Sequence, residues 1–240
     1  MAANFYVAPE QLMKDRAEYA RKGIARGRAL VAVAFAHGVV FAGENPSASL
    51  HKTSEIYDSI AFAAVGRYNE FEALRVAGIR LADVKGYQYA REDVTAKPLA
   101  NAYSQALGAS FMGETKPFEV ELLIAQVDGE RTPAADGSDG DPVDSGLELF
   151  HILYDGSIVD EHRFVAIGGD TEPLRTELEA RFEEGMDRDQ AVRVAVGALS
   201  TVAGRTLEAE VLEVAGLDAR RPRRRFFRLE GEELAAVLTA

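Results

Sequence analysis

Residues 9–35 read PEQLMKDRAEYARKGIARGRALVAVAF, a charged helical pattern that leads directly into an apolar strand pattern. Pro9 suits the first position of a helix and Gly27 suits its end, so we expect a helix over 9–26 and a strand over 30–35. Glu18 precedes Lys22 by four residues, which is a favourable helix pair. One apolar stripe recurs at helical spacing: Met13, Ala17, Ala20 and Ile24.

The rest of the sequence groups its strands in runs and its helices in pairs. Strand patterns fall at residues 39–43, 59–65, 120–127, 147–154, 164–167, 209–214 and 225–229. Helical patterns fall at 69–84, 97–112, 172–184, 189–202 and 232–238. A parallel doubly wound sheet would instead alternate strand and helix. We therefore expect one α+β domain over 9–240, built as a four-layer α/β/β/α sandwich with an N-terminal helix.

Composition and charge argue against several functional classes. The 240 residues are 47% hydrophobic and carry a net charge of −12, which opposes general affinity for nucleic acid. No apolar run approaches the ~20 residues that span a bilayer, and no secretory signal is visible. Because cysteine is absent, disulfides and thiolate metal sites are excluded. We expect a cytoplasmic protein with neither a membrane nor a nucleic acid as partner.

One basic segment, RRPRRRFFR at residues 220–228, runs against the overall charge. Arginines interleaved with aromatic residues could bind nucleic acid. The alternative is a late strand whose arginines pair with acidic neighbours in the same or an adjacent subunit. The acidic remainder of the chain favours this second interpretation, because it would repel phosphate.

Residues 128–146, DGERTPAADGSDGDPVDSG, form an acidic stretch rich in glycine and proline. Such a composition buries too little apolar area to order itself, so it predicts a long mobile loop between two strands. Calcium binding is the alternative. Counting from Asp139, however, puts Phe150 at the twelfth position, where an EF-hand loop requires glutamate.

The sequence indicates no cofactor and no metal site. The chain has four histidines: His37, His51, His151 and His162. None pairs with another at a ligand spacing, and neither a nucleophile elbow nor a Walker loop is present. Gly168 and Gly169 precede a helix, where a phosphate could bind. Asp170 or Thr171 as a helix cap explains the same residues without a ligand.

Several dispersed motifs resemble the proteasome α-type subunits, and the set is most similar to their actinobacterial branch. The motifs are EYAR at 18–21, RKGIAR at 21–26, ENPS at 44–47, SLHK at 49–52, EIYD at 55–58, FAAVG at 62–66, YNEF at 68–71, KPFEV at 116–120, YDGS at 154–157 and RPRR at 221–224. Agreement in order across nearly the whole chain is more specific than any single motif.

The resemblance implies the fold of the N-terminal nucleophile hydrolases without their catalysis. In β-type relatives a precursor is cut between glycine and threonine, and the new terminal threonine becomes the nucleophile. None of the 21 glycines here precedes a threonine, and the helix at 9–26 stands where β-type subunits expose that nucleophile. The alternative is an N-terminal nucleophile amidohydrolase with an unrecognised nucleophile.

As an α-type subunit, the chain would form heptameric rings with copies of itself and bind β-type subunits. It would also dock a hexameric AAA ATPase activator that delivers unfolded protein substrates. The gate over the axial pore would be the N-terminus: Met1, Ala2, Ala3, Asn4, Phe5, Tyr6, Val7 and Ala8. A frayed terminus is the alternative for these residues.

The resemblance also implies a pocket for the C-terminal tail of the activator. Lys52 would receive the terminal carboxylate of that tail, and Gly27 would line the same pocket, where the absence of a side chain lets the tail approach. The alternative for Lys52 is an ordinary surface lysine.

Overall fold

The computed structural model describes residues 8–113, 116–128 and 146–239. These residues form six α-helices: α1 (Pro9–Ala25), α2 (Tyr68–Gln88), α3 (Ala96–Met112), α4 (Thr171–Arg181), α5 (Arg188–Ala203) and α6 (Gly231–Thr239). They also form ten strands: β1 (Leu30–Phe35), β2 (Gly38–Glu44), β3 (Thr53–Tyr57), β4 (Ile60–Gly66), β5 (Val120–Val127), β6 (Leu147–Ile152), β7 (Ile158–Glu161), β8 (Phe164–Ile167), β9 (Leu212–Asp218) and β10 (Phe226–Leu229).

The strands form two five-stranded antiparallel sheets. The first has the order β10-β9-β2-β1-β8 and the second the order β3-β4-β5-β6-β7. Strands β1 and β2 pair from Leu30 opposite Gly43 to Phe35 opposite Gly38. On one side of the stacked sheets, Arg228 of β10 donates to the carbonyl of Thr53 in β3, at 2.9 Å. Strands β7 and β8 line a common cavity on the other side.

Three hydrophobic clusters separate four layers, as the sequence predicts. The first cluster packs α4, α5 and α6 on the outer face of the first sheet, with Val31 and Val33 of β1 pointing into it. The second fills the space between the sheets and takes Leu30 and Ala32, the alternate residues of the same strand. The third lies under α2 and α3 on the second sheet. The α/β/β/α sandwich is therefore confirmed.

Helix α1 lies across the end of the sandwich at which β1 begins. Ala20 and Ile24, the last two residues of the predicted stripe, are buried in the cluster between the sheets. The guanidinium of Arg16 donates to the carbonyls of Ser110 and Phe111, at 2.9 and 2.7 Å, in the last turn of α3. These contacts fix the helix to both sheets and to the outer helical layer.

Most predicted elements lie where the patterns place them, with some differences. The Glu18–Lys22 pair is present at 2.6 Å. Residues Ala209–Val211 form a 3-10 helix instead of a strand. Strands β3 and β7 were not predicted, because both are edge strands and the residues of β7 are mostly exposed, without apolar alternation.

Two predicted segments fall largely outside the described residues. Of the expected gate, Met1–Val7 lies outside them, and only Ala8 is described. Of the expected mobile loop at 128–146, only its two end residues, Asp128 and Gly146, are described. Among the described helices, none combines the length and the apolar character needed to cross a membrane.

Candidate functional site

Lys52 lies at the end of the loop that joins β2 to β3, close to the start of β1. Its Nζ atom donates to the carbonyl of Arg28 at 2.9 Å and to the carbonyl of Glu44 at 3.1 Å. The side chain is half-buried. The ammonium is therefore held by two backbone oxygens, instead of extending freely into solvent as a typical surface lysine does.

This environment changes the acidity of the ammonium. The pKa of Lys52 is lowered from 10.5 to about 8, chiefly by burial and in smaller part by the neighbouring Arg28 guanidinium. The carboxylates of Glu213 and Glu44 oppose the shift without cancelling it. At neutral pH the group is charged, but it loses its proton in a range where an ordinary lysine keeps it.

The carboxylate of Glu213 joins the elements around Lys52 and was not singled out from the sequence. It is 7% exposed and accepts hydrogen bonds from five donors. The donors are the amides of Lys52 and Thr53 (both 2.9 Å), the hydroxyl of Thr53 (2.6 Å), Nδ2 of Asn45 (2.6 Å) and Nη1 of Arg228 (3.0 Å). Burial raises the pKa of Glu213, but these donors together hold it below its ordinary value.

The loop before Lys52 is ordered by its own polar side chains. Nδ2 of Asn45 donates to the carbonyl of Leu50 at 2.7 Å, and Oδ1 of Asn45 accepts from the amide of Ser47 at 3.1 Å. The hydroxyl of Ser47 accepts from the amide of Leu50 at 3.1 Å. The ENPS motif thus shapes a loop that delivers Lys52 to a fixed position.

Gly27 lies one residue before the carbonyl that Lys52 binds, so the structure brings the two predicted pocket residues together. Gly27 follows α1 and donates from its amide to the carbonyl of Ile24 at 2.9 Å. It does not adopt the left-handed conformation expected of a glycine stop. A β-carbon at this position would lie 3.2 Å from the Ile24 carbonyl, so a side chain fits only tightly.

The described part of the predicted gate lies at the other end of α1. Ala8 is exposed, and its carbonyl accepts from the amides of Gln11 and Leu12 at 2.9 and 3.1 Å. Because α1 has 17 residues, it is about 26 Å long, and Ala8 and Gly27 lie beyond its opposite ends. The residues predicted for the gate and those predicted for the tail pocket therefore lie at opposite ends of α1.

A charged cluster beneath α1 is a second feature that sequence reasoning missed. The carboxylates of Glu70 and Glu119 are nearly buried, and Nζ of Lys116 contacts them at 2.6 and 2.9 Å. Nε of Arg67 lies 3.2 Å from Glu119. A β-carbon on Gly23 of α1 would lie only 2.1 Å from a Glu119 oxygen. The cluster thus requires a glycine where the helix passes over it.

The other candidate residues have structural contacts. Arg220, Arg224 and Arg228 pair with acidic residues of the same chain, as the non-nucleic-acid interpretation predicts. Asp170 stands at the N-cap of α4, but its side chain makes no cap hydrogen bond, so that part of the interpretation is wrong. No group of three or more potential metal ligands converges within the described residues.

Comparison with known families identifies the class of protein. The family model described as proteasome subunit matches residues 24–136 and 139–216, which is most of the chain. The chain therefore belongs to the proteasome family.

Within that family, the similarity is to α-type subunits of actinobacteria. The chain is 52% identical to the proteasome subunit alpha of Kineococcus radiotolerans, over 99% of this chain and 98% of the relative. It is 51% identical to the protein of the same name from Acidothermus cellulolyticus, over 99% and 98%. It is 52% identical to the proteasome subunit alpha of Streptomyces avermitilis, over 100% of this chain and 92% of the relative. The resemblance predicted from the motifs is confirmed.

Proposed function

We propose that the chain is a non-catalytic subunit of the α-ring of a bacterial 20S-type proteasome core particle. In this role it scaffolds the catalytic β-type rings, gates the axial pore and docks a hexameric AAA ATPase activator. The observation that supports the proposal most strongly is the packing of α1 against the two sheets. The helix buries Ala20 and Ile24 in the cluster between the sheets, at the end where β1 begins.

The absence of catalysis is inferred from the position of α1 directly ahead of β1. An N-terminal nucleophile needs a free amine directly ahead of the first strand. Here the backbone ahead of Leu30 continues through Gly27 into a 17-residue helix, which Arg16 ties to α3. Exposing a terminus at β1 would require removal of a helix that contributes two buried residues to the body of the protein.

Docking of the activator is proposed for Lys52. Two of the three ammonium hydrogens are directed to the carbonyls of Arg28 and Glu44, which leaves one for a ligand. A charge-assisted bond from a partly desolvated ammonium to a terminal carboxylate is stronger than a surface ion pair. Gly27, next to Arg28, keeps the approach to this hydrogen free of a side chain.

The gate is proposed for residues 1–8, ahead of the fixed helix, and residues 9–240 form the single ring-building domain. Unfolded substrates pass this gate on their way to the chamber, in the cytoplasm.

One observation favours a second candidate, an N-terminal nucleophile amidohydrolase. A lysine whose pKa is lowered to about 8, beside the start of β1, is a suitable general base. Among the described residues, however, its Nζ atom donates to backbone carbonyls, and the neighbouring Thr53 hydroxyl donates to Glu213. The proteasomal role is therefore the better supported.

Intact mass and a peptidase assay of the isolated full-length chain separate the two candidates. The proposed function predicts a chain that stays unprocessed and cleaves no peptide. Self-cleavage that exposes a new terminal threonine or serine, together with peptide hydrolysis, would overturn it in favour of the amidohydrolase.

A further inference from the structure

The two lateral sides of the sandwich end in edge strands. Strands β3 and β10 form one side, and β7 and β8 form the other. No described strand pairs with the outer edge of any of them. On β7, Ile158 and Val159 are 37% and 42% exposed. An unpaired edge with exposed apolar residues is a template for contact with another chain.

The β7–β8 side carries a cavity of about 380 Å³, which we name the acidic cleft. Its charged lining is Asp160, Glu161, Glu172 and Glu179 with Arg163 and Arg175. Nη2 of Arg163 bonds to Glu179 at 3.0 Å. The carboxylates of Asp160 and Glu172 are exposed and form no ion pair with a described residue. The cleft therefore has an excess of negative charge that its own arginines do not neutralise.

The wall of the acidic cleft also holds a polar atom without a partner. Nε2 of His151 is buried and makes no hydrogen bond within the described residues. The carboxylates of Glu121 and Glu161 lie 3.8 and 3.9 Å from the two ring nitrogens of His151. Unsatisfied buried groups are uncommon, and they are expected where a ligand or partner completes the site.

The opposite side carries a basic segment, residues 219–225 between β9 and β10, which we name the arginine loop. Three of its arginines are held within the chain: Arg220 by Asp218, Arg224 by Glu55 and Arg225 by the carbonyl of Val127. Arg221 and Arg223 are exposed, and their side chains bond to no described residue. Arg223 has a φ of 63°, the one positive value at a non-glycine position in the described chain.

That backbone conformation indicates a functional role for the loop. A positive φ costs free energy for a residue with a β-carbon, and such strain concentrates at functional positions. The loop is fixed at its base, because the amide of Arg225 donates to the backbone carbonyl of Asp58 at 2.8 Å. The backbone of the loop is therefore fixed, and it carries two exposed arginines on a chain whose net charge is −12.

The arginine loop and the Arg163 end of the acidic cleft lie at the same end of the sandwich, away from α1, whereas Glu172 follows the opposite end of β8. The amide of Ala219 donates to the carbonyl of His37, and the amide of Ala34 donates to the carbonyl of Arg163, both at 2.8 Å. The start of the arginine loop and Arg163 of the acidic cleft thus flank the turn between β1 and β2. In a closed ring, each copy uses one side for one neighbour and the opposite side for the other.

We propose that the arginine loop of one copy docks into the acidic cleft of the next copy and forms the lateral contact of the ring. Arg221 and Arg223 pair with Asp160 and Glu172 across the contact, and guanidinium–carboxylate pairs of this kind fix geometry as well as charge. The inference rests on the proposed ring-forming function and adds the surfaces that meet.

Charge reversal in the full-length chain, co-expressed with its β-type partner, tests the contact. Arg221→Glu with Arg223→Glu, and separately Asp160→Arg with Glu172→Arg, should each lower the fraction of chain in rings by on the order of tenfold. All four substitutions in one chain should restore assembly, because each swapped loop then meets a swapped cleft. Reversed pairs that assemble like the parent, or a combined variant that stays unassembled, would overturn the proposal.

The matched control reverses two exposed cations away from both sides. Arg80→Glu with Lys97→Glu, on α2 and α3, changes the net charge by the same amount as the loop variant. Size-exclusion chromatography should find this control assembled like the parent. Equal loss of rings in the control and the loop variant would show a general charge effect and would contradict a specific contact.

Cross-linking gives a readout that does not depend on weakened assembly. Because the chain has no cysteine, Glu172→Cys and Arg223→Cys introduce unique thiols. With a short bismaleimide, the double variant should give a ladder from dimers upward, whereas each single variant should stay monomeric under denaturing conditions. Dimers from Arg223→Cys alone would indicate contact between two loops and overturn the proposal.

Electron microscopy of the same samples separates the two levels of the account. Rings without a ladder would refute the docking of loop into cleft and leave the proposed function standing. The absence of rings in the unsubstituted chain with its β-type partner would refute both.

Discussion

The carboxylate of Glu213 accepts a hydrogen bond from the backbone amide of Lys52 at 2.9 Å, although the two residues are 161 positions apart in the sequence. The bond ties β9 to the loop before β3 and fixes where the Lys52 side chain begins. Because the same carboxylate accepts four further hydrogen bonds, the position of Lys52 and the stability of the sandwich depend on one buried charge.

Glu213→Gln should destabilise the full-length chain by about 3 kcal/mol, because an amide presents an NH₂ group to buried donors that now face an oxygen. Urea unfolding measures the change. The control is Glu210→Gln, an exposed neighbour that should change stability by less than about 0.5 kcal/mol. Equal midpoints for the two variants would contradict the role given to Glu213.

The stability difference between wild type and Glu213→Gln should also depend on pH. Since the pKa of Glu213 is lower in the folded chain than its ordinary 4.5, the ionised form contributes stability above pH 4.5. That contribution is lost as the pH falls through the folded pKa. The gap between wild type and Glu213→Gln should therefore be constant near neutrality and narrow in acid. A gap that widens below pH 4.5 would contradict this assignment.

Gly23→Ala should weaken the packing of α1 over the charged cluster that contains Glu119. Alanine favours a helix by about 1 kcal/mol over glycine, but its β-carbon would lie 2.1 Å from Glu119, which Lys116 and Arg67 hold in place. We expect a net loss of about 1–3 kcal/mol, with faster hydrogen exchange in α1. Gly108→Ala is the control, because its nearest neighbour is 3.5 Å away, so it should be neutral or stabilising.

Lys52 should titrate near pH 8, since burial disfavours its charged form. Spectra of a lysine-labelled chain measure this directly, and Lys52→Arg identifies the signal by removing it. Binding of a carboxylate-ended peptide to the assembled particle should weaken as the pH rises through about 8, whereas a peptide amidated at its C-terminus should bind poorly throughout. A Lys52 signal that titrates near 10.5 would refute the desolvated pocket.

The same shift has a consequence for folding, with a defined sign. Between pH 8 and 10.5 the folded chain releases the Lys52 proton while the unfolded chain retains it. Because stability rises with pH wherever the unfolded state binds more protons, the unfavourable contribution of this buried ammonium to stability shrinks as the pH rises through that window. Lys52→Met should remove the effect, and wild type and variant should then differ in slope between pH 8 and 10.5.

Deletion of residues 1–8 should raise hydrolysis of short peptides by the particle assembled with the β-type partner. A second variant that lacks only residues 1–7 keeps Ala8. Because the Ala8 carbonyl accepts from the amides of Gln11 and Leu12, the first turn of α1 is preserved in this variant. Both variants should open the pore equally. Unchanged hydrolysis in both would remove the gate from residues 1–8.

The sequence predicts the parts of the fold that local patterns encode. The apolar alternation and runs of β1, β5 and β8 give their bounds, and the dispersed motifs predict the family. The site is less predictable, because its central carboxylate, Glu213, meets Lys52, Thr53 and Asn45 only through tertiary pairing of β9 with β2. No local signal marks such a residue. The cluster of Glu70, Lys116 and Glu119 was missed for the same reason.

Electron microscopy of the chain co-expressed with its β-type partner tests the central claim most directly. The account predicts a four-ring particle in which this chain, unprocessed, forms the two outer seven-membered rings with residues 1–8 at the axial pore. A monomeric chain, its placement in the inner rings, or a new N-terminus directly ahead of Leu30 would contradict the account.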